Sequence, residues 1–561
     1  MGKRKSFAIG IEDYRRLVSE NYYYVDKTLL IQHLLDGGSL VTLFARPRRF
    51  GKTLNLSMLD YFFNVDGSGK GLFDDCALAR SERPYREEMG KYPVISMSLK
   101  DMKMDTYEQA VTNFRAICAE AFSKHRYLLD GKVLVSEERD VLHAAMVGEL
   151  PEERLPNAAR LLMKKLHEYH GQPVVLLLDE YDVPLQTGYL KGYYDRVLNI
   201  VRSLMSMTCK TNPHLRLAVH TGCLRLSGES IYTGFNNPEI NTILSPTCGD
   251  CFGFTPEEVK AMLDYYGIGD LFDTVREWYD GYRFGNAEIY NPWSVINFVK
   301  NACVEDAVPR PGPYWANTSG NDLLQTLIED SVSGNGSRSE LETLLSGGSV
   351  RHSVCEQLNY ASMRMDSTAL WTTLLYTGYL RTKDFPNQLS SLDELELQLP
   401  HREVAETLKR HLDIWYRQAI PTWNRTGLIK ALAEGDAEAV RTQLKLFMRR
   451  TISYHDRAEN FYHGFIAGLL ASVEGWQCES NRESGDGRPD LKFYTWDTFD
   501  CAIAIEIKAA SSREDLTGKA QLALEQAQAR DYVADFRRDY RTVRVYGIAC
   551  FNKECTVLAG E

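Results

Sequence analysis

Short apolar runs alternate with longer amphipathic stretches over the first 250 residues. The runs at 40–45, 93–99, 173–179 and 215–221 are strand-length and continuously hydrophobic, and helix-length patterns lie between them at 53–63, 107–125 and 155–170. Strands buried on both faces and joined by helices predict βαβ crossovers and a parallel sheet. From Thr255 the pattern becomes mainly helical, opening on TPEEVKAMLDYYG, with Thr255 placed to cap and Pro256 in the first turn. SVSGNGSRSE, from Ser331, reads as a solvated loop, and FPNQLSSLDELELQLP, from Phe385, as a loop followed by a short strand. The last section returns to a helix, strands at 491–494 and 502–508, a helix at 518–530 and a strand at 542–551. The expected fold class is therefore α/β: a parallel sheet covered by helices at 1–250, a mainly helical connector at 251–400, a helical linker at 401–452 and a second, smaller α/β unit at 453–561.

Composition narrows the field. With 561 residues, the chain is long enough for several cores. It carries 65 basic and 76 acidic residues, net −11, which excludes a protein coated in positive charge for binding nucleic acid. The stretch from Thr451 onward holds 13 basic and 18 acidic residues, so it too lacks a cationic track. Apolar runs fall far short of the ~20 residues that cross a bilayer, and Glu12 and Asp13 interrupt the N-terminus before any apolar leader develops. A cytoplasmic protein with no membrane partner is expected. The twelve cysteines are scattered; the one close pair, Cys248 and Cys251 in CGDC, supplies half a tetrahedral zinc site, so reduced structural thiols are expected.

Candidate chemistry appears first in LVTLFARPRRFGKTLNLSMLDYFF, where an apolar strand turns into a helix. Main-chain N–H groups at a helix start, helped by the helix dipole, suit a phosphate. Gly51, Lys52 and Thr53 match the end of G-x-x-x-x-G-K-[ST]: the glycine admits the anion, the lysine reaches the β/γ oxygens and the hydroxyl ligates Mg²⁺. The first glycine of that pattern is replaced by Arg46, which with Arg48 and Arg49 is a candidate phosphate contact; a basic turn at a helix start is the plainer alternative. Downstream, VVLLLDEYD ends a buried strand in two acids, Asp179 to hold Mg²⁺ and Glu180 to orient or deprotonate water. Thr221 ends the next strand and Arg225 follows, candidates for a γ-phosphate sensor and a transition-state cation, or simply a strand cap and a solvated arginine. With both motifs in order, the front sheet is expected to be a P-loop NTPase sheet, and ATP and Mg²⁺ are the expected cofactors. Around Trp278, Tyr282, Tyr290 and Trp293, the aromatic clusters read as core packing ahead of base stacking.

A second constellation lies in GDGRPDLKFYTWDTFDCAIAIEIKAA. Residues two apart on a strand share a face, so Glu506 and Lys508 can converge on Asp490 across a hairpin. Two carboxylates suit Mg²⁺, and the lysine can polarise a phosphodiester or help activate water. Pro489-Asp490 and Glu506-Ile507-Lys508 make the PD-(D/E)XK nuclease pattern; a cross-strand salt bridge is the plainer alternative. Glu459 is a candidate further metal ligand and Gln526 a candidate phosphate contact or partner of Lys508, with His463 and Tyr532 weaker candidates.

Together, YYYVDKTLLI, FARPRRFGKT, LLLDEYDVPL, WYDGYRFGNAEIYNPWSVINF, LLYTGYL, NFYHGFIAGLL and AIEIKAA give the chain a resemblance to the bacterial AAA-ATPase-like family fused to a C-terminal PD-(D/E)XK nuclease domain with a restriction-endonuclease-like fold. The resemblance implies that RPRRFGK is a family form of the phosphate loop, that Asp179 and Glu180 are Walker B acids, and that Asp490, Glu506 and Lys508 form a nuclease centre. The expected function is ATP binding and hydrolysis coupled to Mg²⁺-dependent cleavage of nucleic acid, DNA ahead of RNA, with room for a homo-oligomer. The alternative is an ATP-driven switch or remodelling protein whose C-terminal domain binds nucleic acid or protein without cutting it.

Overall fold

The computed structural model describes residues 4–81, 85–225, 238–304, 309–315, 326–327, 336–355, 358, 360, 363, 368–385, 394–419, 425–451, 459–471, 473–480, 490–495, 497, 500–529, 537 and 539–560. Pro489 and Tyr532 lie outside the described residues. The chain divides into two compact units, Met1–Ser331 with Gly347–Leu408, and Val332–Ser346 with Lys409–Glu561.

The first unit is built on a parallel sheet of β1 (Val41–Ala45), β2 (Val94–Ser98), β3 (Val174–Asp179), β4 (Leu215–Gly222) and β5 (Glu239–Asn241) in the order β2-β3-β4-β1-β5. Residues of β1 and β3 are buried throughout, as continuous apolar runs between two helical layers require. Helices Lys52–Phe63, Tyr107–Ser123 and Leu155–His170 match their predicted positions within two residues, and helices Ser136–Met146, Val183–Lys191 and Tyr194–Cys209 fill further crossovers. The strand order has a direct consequence for chemistry. Inserting β4 between β1 and β3 pairs Phe44 with Thr221 and Leu178 with His220, so the ends of three central strands meet at one edge.

Beyond the sheet, helices Pro256–Tyr266, Phe272–Tyr279 and Pro292–Ala302 form their own apolar cluster around Val259, Tyr279 and Phe298. Thr255 caps the first of them through a reciprocal pair of hydrogen bonds with Glu258. The region read as helical also carries the hairpin of β6 (Tyr282–Phe284) and β7 (Ala287–Ile289), and the small antiparallel sheet β8 (Val350–His352), β10 (Leu395–Gln398) and β9 (Arg381–Thr382). Helix Gly336–Leu345 begins inside the segment read as a loop, because ELETLL is rich in strong helix formers.

The second unit is a mixed five-stranded sheet, β11 (Trp476–Ser480), β12 (Leu491–Thr495), β13 (Cys501–Ala509), β14 (Thr542–Phe551) and β15 (Glu554–Gly560), in sequential order. Only β13 and β14 are parallel, joined by helix Leu516–Ala529. Alternation along β13 splits two cores. Ile503, Ile505 and Ile507 pack with helices Thr426–Glu434, Ala437–Thr451 and Glu459–Leu470, while Ala502 and Ala504 face Leu524 and Ala527. Residues 426–451, expected as a linker, thus contribute to the core of this unit.

Candidate functional sites

At the edge where β1, β3 and β4 end, Arg46 N–H donates to Gly222 O (3.0 Å), tying the start of the phosphate loop to the end of β4. The loop then turns through two left-handed residues, Arg49 (φ 69°) and Gly51 (φ 85°), into helix Lys52–Phe63. Lys52 is buried and folded back, its Nζ donating to the carbonyls of Arg46 and Pro47, both at 2.9 Å. Thr53 Oγ1 donates to Asp179 Oδ2 at 2.7 Å, and Thr221 donates to the other oxygen, Oδ1. Asp179 is therefore fixed by two hydroxyls from two different elements.

Glu180 follows at φ 50°, a left-handed conformation that costs a non-glycine residue free energy and concentrates at functional sites. Burial, with Asp179 and Asp182 nearby, pushes its carboxyl above the ordinary value, and Lys52 pulls the other way. Loop and acid open onto a cavity of about 370 Å³, whose lining includes Arg48, Arg49, Gly51, Lys52, Thr53 and Glu180 together with Tyr23, Val25, Phe254, Trp293 and Ile296. A lining that mixes charged and apolar side chains suits a compact ligand with an anionic part and an apolar part. Arg49 lies 4.4 Å from the Trp293 ring centroid, so a cation and a flat ring adjoin in that lining.

Arg46 departs from expectation. Its guanidinium is fully buried among the rings of Phe44, Phe252 and Phe284, and it donates to Asn241 O (2.8 Å), Asn241 Oδ1 (2.7 Å) and Cys248 O (3.2 Å). It braces the back of the loop and does not line the cavity, its terminal nitrogens being taken up by four acceptors, the carbonyl of Ala45 among them, between three aromatic faces. Arg225 likewise is not among the cavity's lining residues; its carbonyl accepts from Leu358 N–H. Of the four aromatic residues, Trp278, Tyr282 and Tyr290 are core, and Trp293 is at the cavity.

Three residues were not anticipated. Asp182 Oδ2 accepts from the N–H groups of Cys223 (2.8 Å) and Leu224 (3.0 Å), clamping the segment that follows β4. Asn241, at the end of β5, receives Arg46. Lys27 bridges both Glu258 oxygens at 2.7 Å and Asp250 O at 2.9 Å, locking the N-terminal segment to the cavity wall. Only Asp182 left a trace in the sequence, as the third acid of DEYD. The CGDC pair is a correction: Cys248 and Cys251 form a disulfide, with Cα atoms 5.1 Å apart in a turn where Cys248 adopts φ 56°. The turn brings the side chains within bonding range.

In the second unit the antiparallel pairing of β12 and β13 sets Leu491 against Ile505, which puts Asp490 beside Glu506 and Ile507. Asp490 N–H donates to Glu506 Oε2 (3.3 Å), and Ile507 N–H donates to Asp490 Oδ2 (2.8 Å). Lys508 Nζ is 3.4 Å from Glu506 Oε1. The sequence-predicted trio is therefore brought together. Glu506 is buried, and burial, then Asp490, raises its carboxyl, with Lys508 opposing. His463, in helix Glu459–Leu470, places Nε2 3.0 Å from Asp490 O. Glu459 starts that helix, and its side chain lies outside the described residues. Gln526 is on helix Leu516–Ala529, which packs on the Ala502–Ala504 face, the face that alternation assigns to Glu506 and Lys508. Among the described residues no group of three His, Cys, Asp or Glu side chains converges on one point.

Residues 8–232 match the model of a predicted AAA-ATPase family, and residues 457–559 match a model of the PD-(D/E)XK nuclease superfamily. The chain joins domains of these two families. An uncharacterised protein from the vnfD 5′ region of Azotobacter chroococcum mcd 1 is 27% identical to this chain over 332 residues, which is 58% of this chain and 57% of that relative. Among solved structures, a Walker-type ATPase of Pyrococcus abyssi aligns at 12% identity over 73% of this chain and 99% of its own, with a TM-score of 0.37. The ORC2 protein of Aeropyrum pernix aligns at 11% identity over 71% and 98%, with a TM-score of 0.28. Among the described residues no helix is long and apolar enough to cross a membrane.

Proposed function

We propose that the chain binds and hydrolyses ATP at the Lys52–Asp179 site and uses that cycle to control a Mg²⁺-dependent nuclease centre at Asp490, Glu506 and Lys508. The observation that carries the first half is the Thr53–Asp179–Thr221 network, joined through Thr53 to a cavity whose lining holds both cationic and aromatic side chains. The second half rests on the juxtaposition of Asp490, Glu506 and Lys508 at the β12–β13 edge.

Both sites fit a hard divalent cation. Thr53 and Asp179 offer a hydroxyl and a carboxylate side by side, and Asp490 and Glu506 offer two carboxylates, one of them buried with its charged form disfavoured until a cation arrives. At either site the ion, when bound, would neutralise charge building on a phosphoryl group.

The protein's own groups divide the remaining work. Lys52, released from the Arg46 and Pro47 carbonyls, would hold terminal phosphate oxygens, with loop N–H groups before the helix completing the cradle. Glu180, whose proton affinity is raised by burial, would accept a proton from the attacking water. Thr221 would hold Asp179 in register with the loop. Trp293, Tyr23 and Phe254 would take the base, and Arg49 would span base and phosphates. At the second site Lys508 would polarise the scissile phosphodiester, and Glu506 would orient water beside it. Nucleic acid, DNA ahead of RNA, is the proposed substrate; the net negative charge favours transient contacts over tight non-specific binding.

The test measures ATP turnover, and nucleic-acid cleavage with and without ATP, in the wild type and in Lys52→Ala. Loss of turnover together with loss of ATP-responsive cleavage supports the coupled reading. Cleavage indifferent both to ATP and to the substitution rejects coupling.

A further inference from the structure

The CGDC turn is a chemically reactive feature at the phosphate loop that the proposed reaction leaves unused. Among the described residues Cys248 and Cys251 form a disulfide, and the other ten cysteines carry none. Four hydrogen bonds of this turn and the residues just after it lead to the loop or to the cavity wall. Cys248 O accepts from Arg46 at the start of the loop (3.2 Å), and Cys251 O accepts from Asn55 in the first turn of helix Lys52–Phe63 (2.9 Å). Asp250 O accepts from Lys27 (2.9 Å), and Gly253 N–H donates to Phe50 O within the loop (3.2 Å). Cys251 itself lines the cavity.

The far side of the turn is wedged. A Cβ on Gly249 would stand 2.1 Å from Phe284 O, and one on Gly253 would stand 2.3 Å from Ile289 Cγ2. The segment is thus a bracket between the β6–β7 hairpin and the loop. Its shape depends on a left-handed Cys248 (φ 56°), a conformation that a non-glycine residue leaves when nothing holds it. The bond to Cys251 and the Arg46 hydrogen bond to Cys248 O both hold it. Cys248 is partly exposed and Cys251 is buried, so a soluble thiol reaches the bond from the Cys248 side. In reducing compartments such bonds are characteristically transient or redox-sensing.

We propose that Cys248–Cys251 is a thiol–disulfide control on the phosphate loop: closed, it braces the loop for an anion, and opened, it slackens the loop and weakens nucleotide binding. The proposal rests on the reading of this cavity as a nucleotide site. Opening balances as an exchange with a dithiol. A thiolate of the dithiol attacks Cys248 Sγ, the Sγ–Sγ bond breaks, and Cys251 leaves as a thiolate that takes up a proton. The second thiol of the dithiol then displaces Cys248 as a thiol. Two electrons and two protons pass to the cysteine pair, and the dithiol ends as its own cyclic disulfide.

The experiment uses the full chain prepared without reductant and after dithiothreitol, with the state of the pair verified by alkylation and intact mass. Amide hydrogen exchange over 46–55 and the Kd for Mg²⁺-ATP are then measured. Reduction is expected to speed exchange over 46–55 and to weaken binding roughly tenfold, about the loss of one or two main-chain hydrogen bonds. Cys248→Ser, and separately Cys251→Ser, should match the reduced protein and ignore dithiothreitol. Unchanged exchange and unchanged Kd after verified opening overturn the proposal, as does a pair that stays as free thiols after treatment with a disulfide oxidant. If ATP binds in neither state while exchange over 46–55 still responds, the nucleotide reading fails and the control of the loop stands.

Discussion

Thr53 Oγ1 donates a 2.7 Å hydrogen bond to Asp179 Oδ2, joining the end of the phosphate loop to the end of β3 across the intervening β4. The bond exists because β4 brings Thr221 up against the second oxygen of the same carboxylate, leaving Asp179 a single orientation. Thr53→Ala should therefore reduce ATP turnover by roughly 100-fold, the scale on which an oriented polar group contributes to such a step. Thr53→Ser keeps the hydroxyl and should retain most of the activity. Steady-state turnover at saturating Mg²⁺-ATP checks both.

Glu180 is raised by burial, with neighbouring acids adding to the effect. As a proton acceptor it works only when ionised, so turnover should rise with pH and the acid limb should sit above the range of an ordinary carboxylate. Glu180→Gln should bind ATP with little change yet turn it over very slowly. A kcat–pH profile beside a binding titration separates the two effects.

Glu403 supplies a stability test. It is fully buried; Oε1 accepts from Ser294 Oγ (3.0 Å) and Trp315 N–H (2.8 Å), and burial pushes its carboxyl up to about 7. Because the folded state holds this proton more tightly than the unfolded state does, its contribution favours folding at low pH and fades as pH rises from the ordinary glutamate range to about 7. The loss approaches roughly 3 kcal/mol. Thermal unfolding of the wild type should weaken over that window, and Glu403→Gln should show a shallower decline.

Gly547, opposite Glu506 in the β13–β14 pair, leaves no room for a side chain: a Cβ would lie 2.4 Å from Ala520 O and 2.5 Å from Leu524 N. Gly547→Ala should push helix Leu516–Ala529 off the sheet and destabilise the second unit by about 1–3 kcal/mol. The expected result is a lower unfolding temperature for that unit with ATP binding unchanged.

How much of this was legible follows from the range of each interaction. The apolar runs marked β1, β3 and β4 because strands buried on both faces need no partner to be recognised. The placement of Lys52 and Thr53 at a helix start and of Asp179 at a strand end was legible from the local pattern, and that of Glu506 and Lys508 on one face from a period of two. Arg46 misled, since its side chain turns toward Asn241, 195 residues away, and nothing local announces that partner. The edge strands β5, β11 and β15 went unread; short or alternating segments gain their identity from the neighbour they pair with. Lys27 with Glu258 and the Cys248–Cys251 turn depended on the same long-range assembly.

The most direct measurement of the central claim is a cleavage assay on single- and double-stranded DNA and RNA, with Mg²⁺ or with chelator, using the wild type, Asp490→Ala and Lys508→Ala. The account predicts Mg²⁺-dependent products from the wild type on at least one substrate and their loss in both variants. Products that persist in Asp490→Ala and Lys508→Ala, or a wild type that cuts none of the four substrates with Mg²⁺ and ATP present, would contradict it.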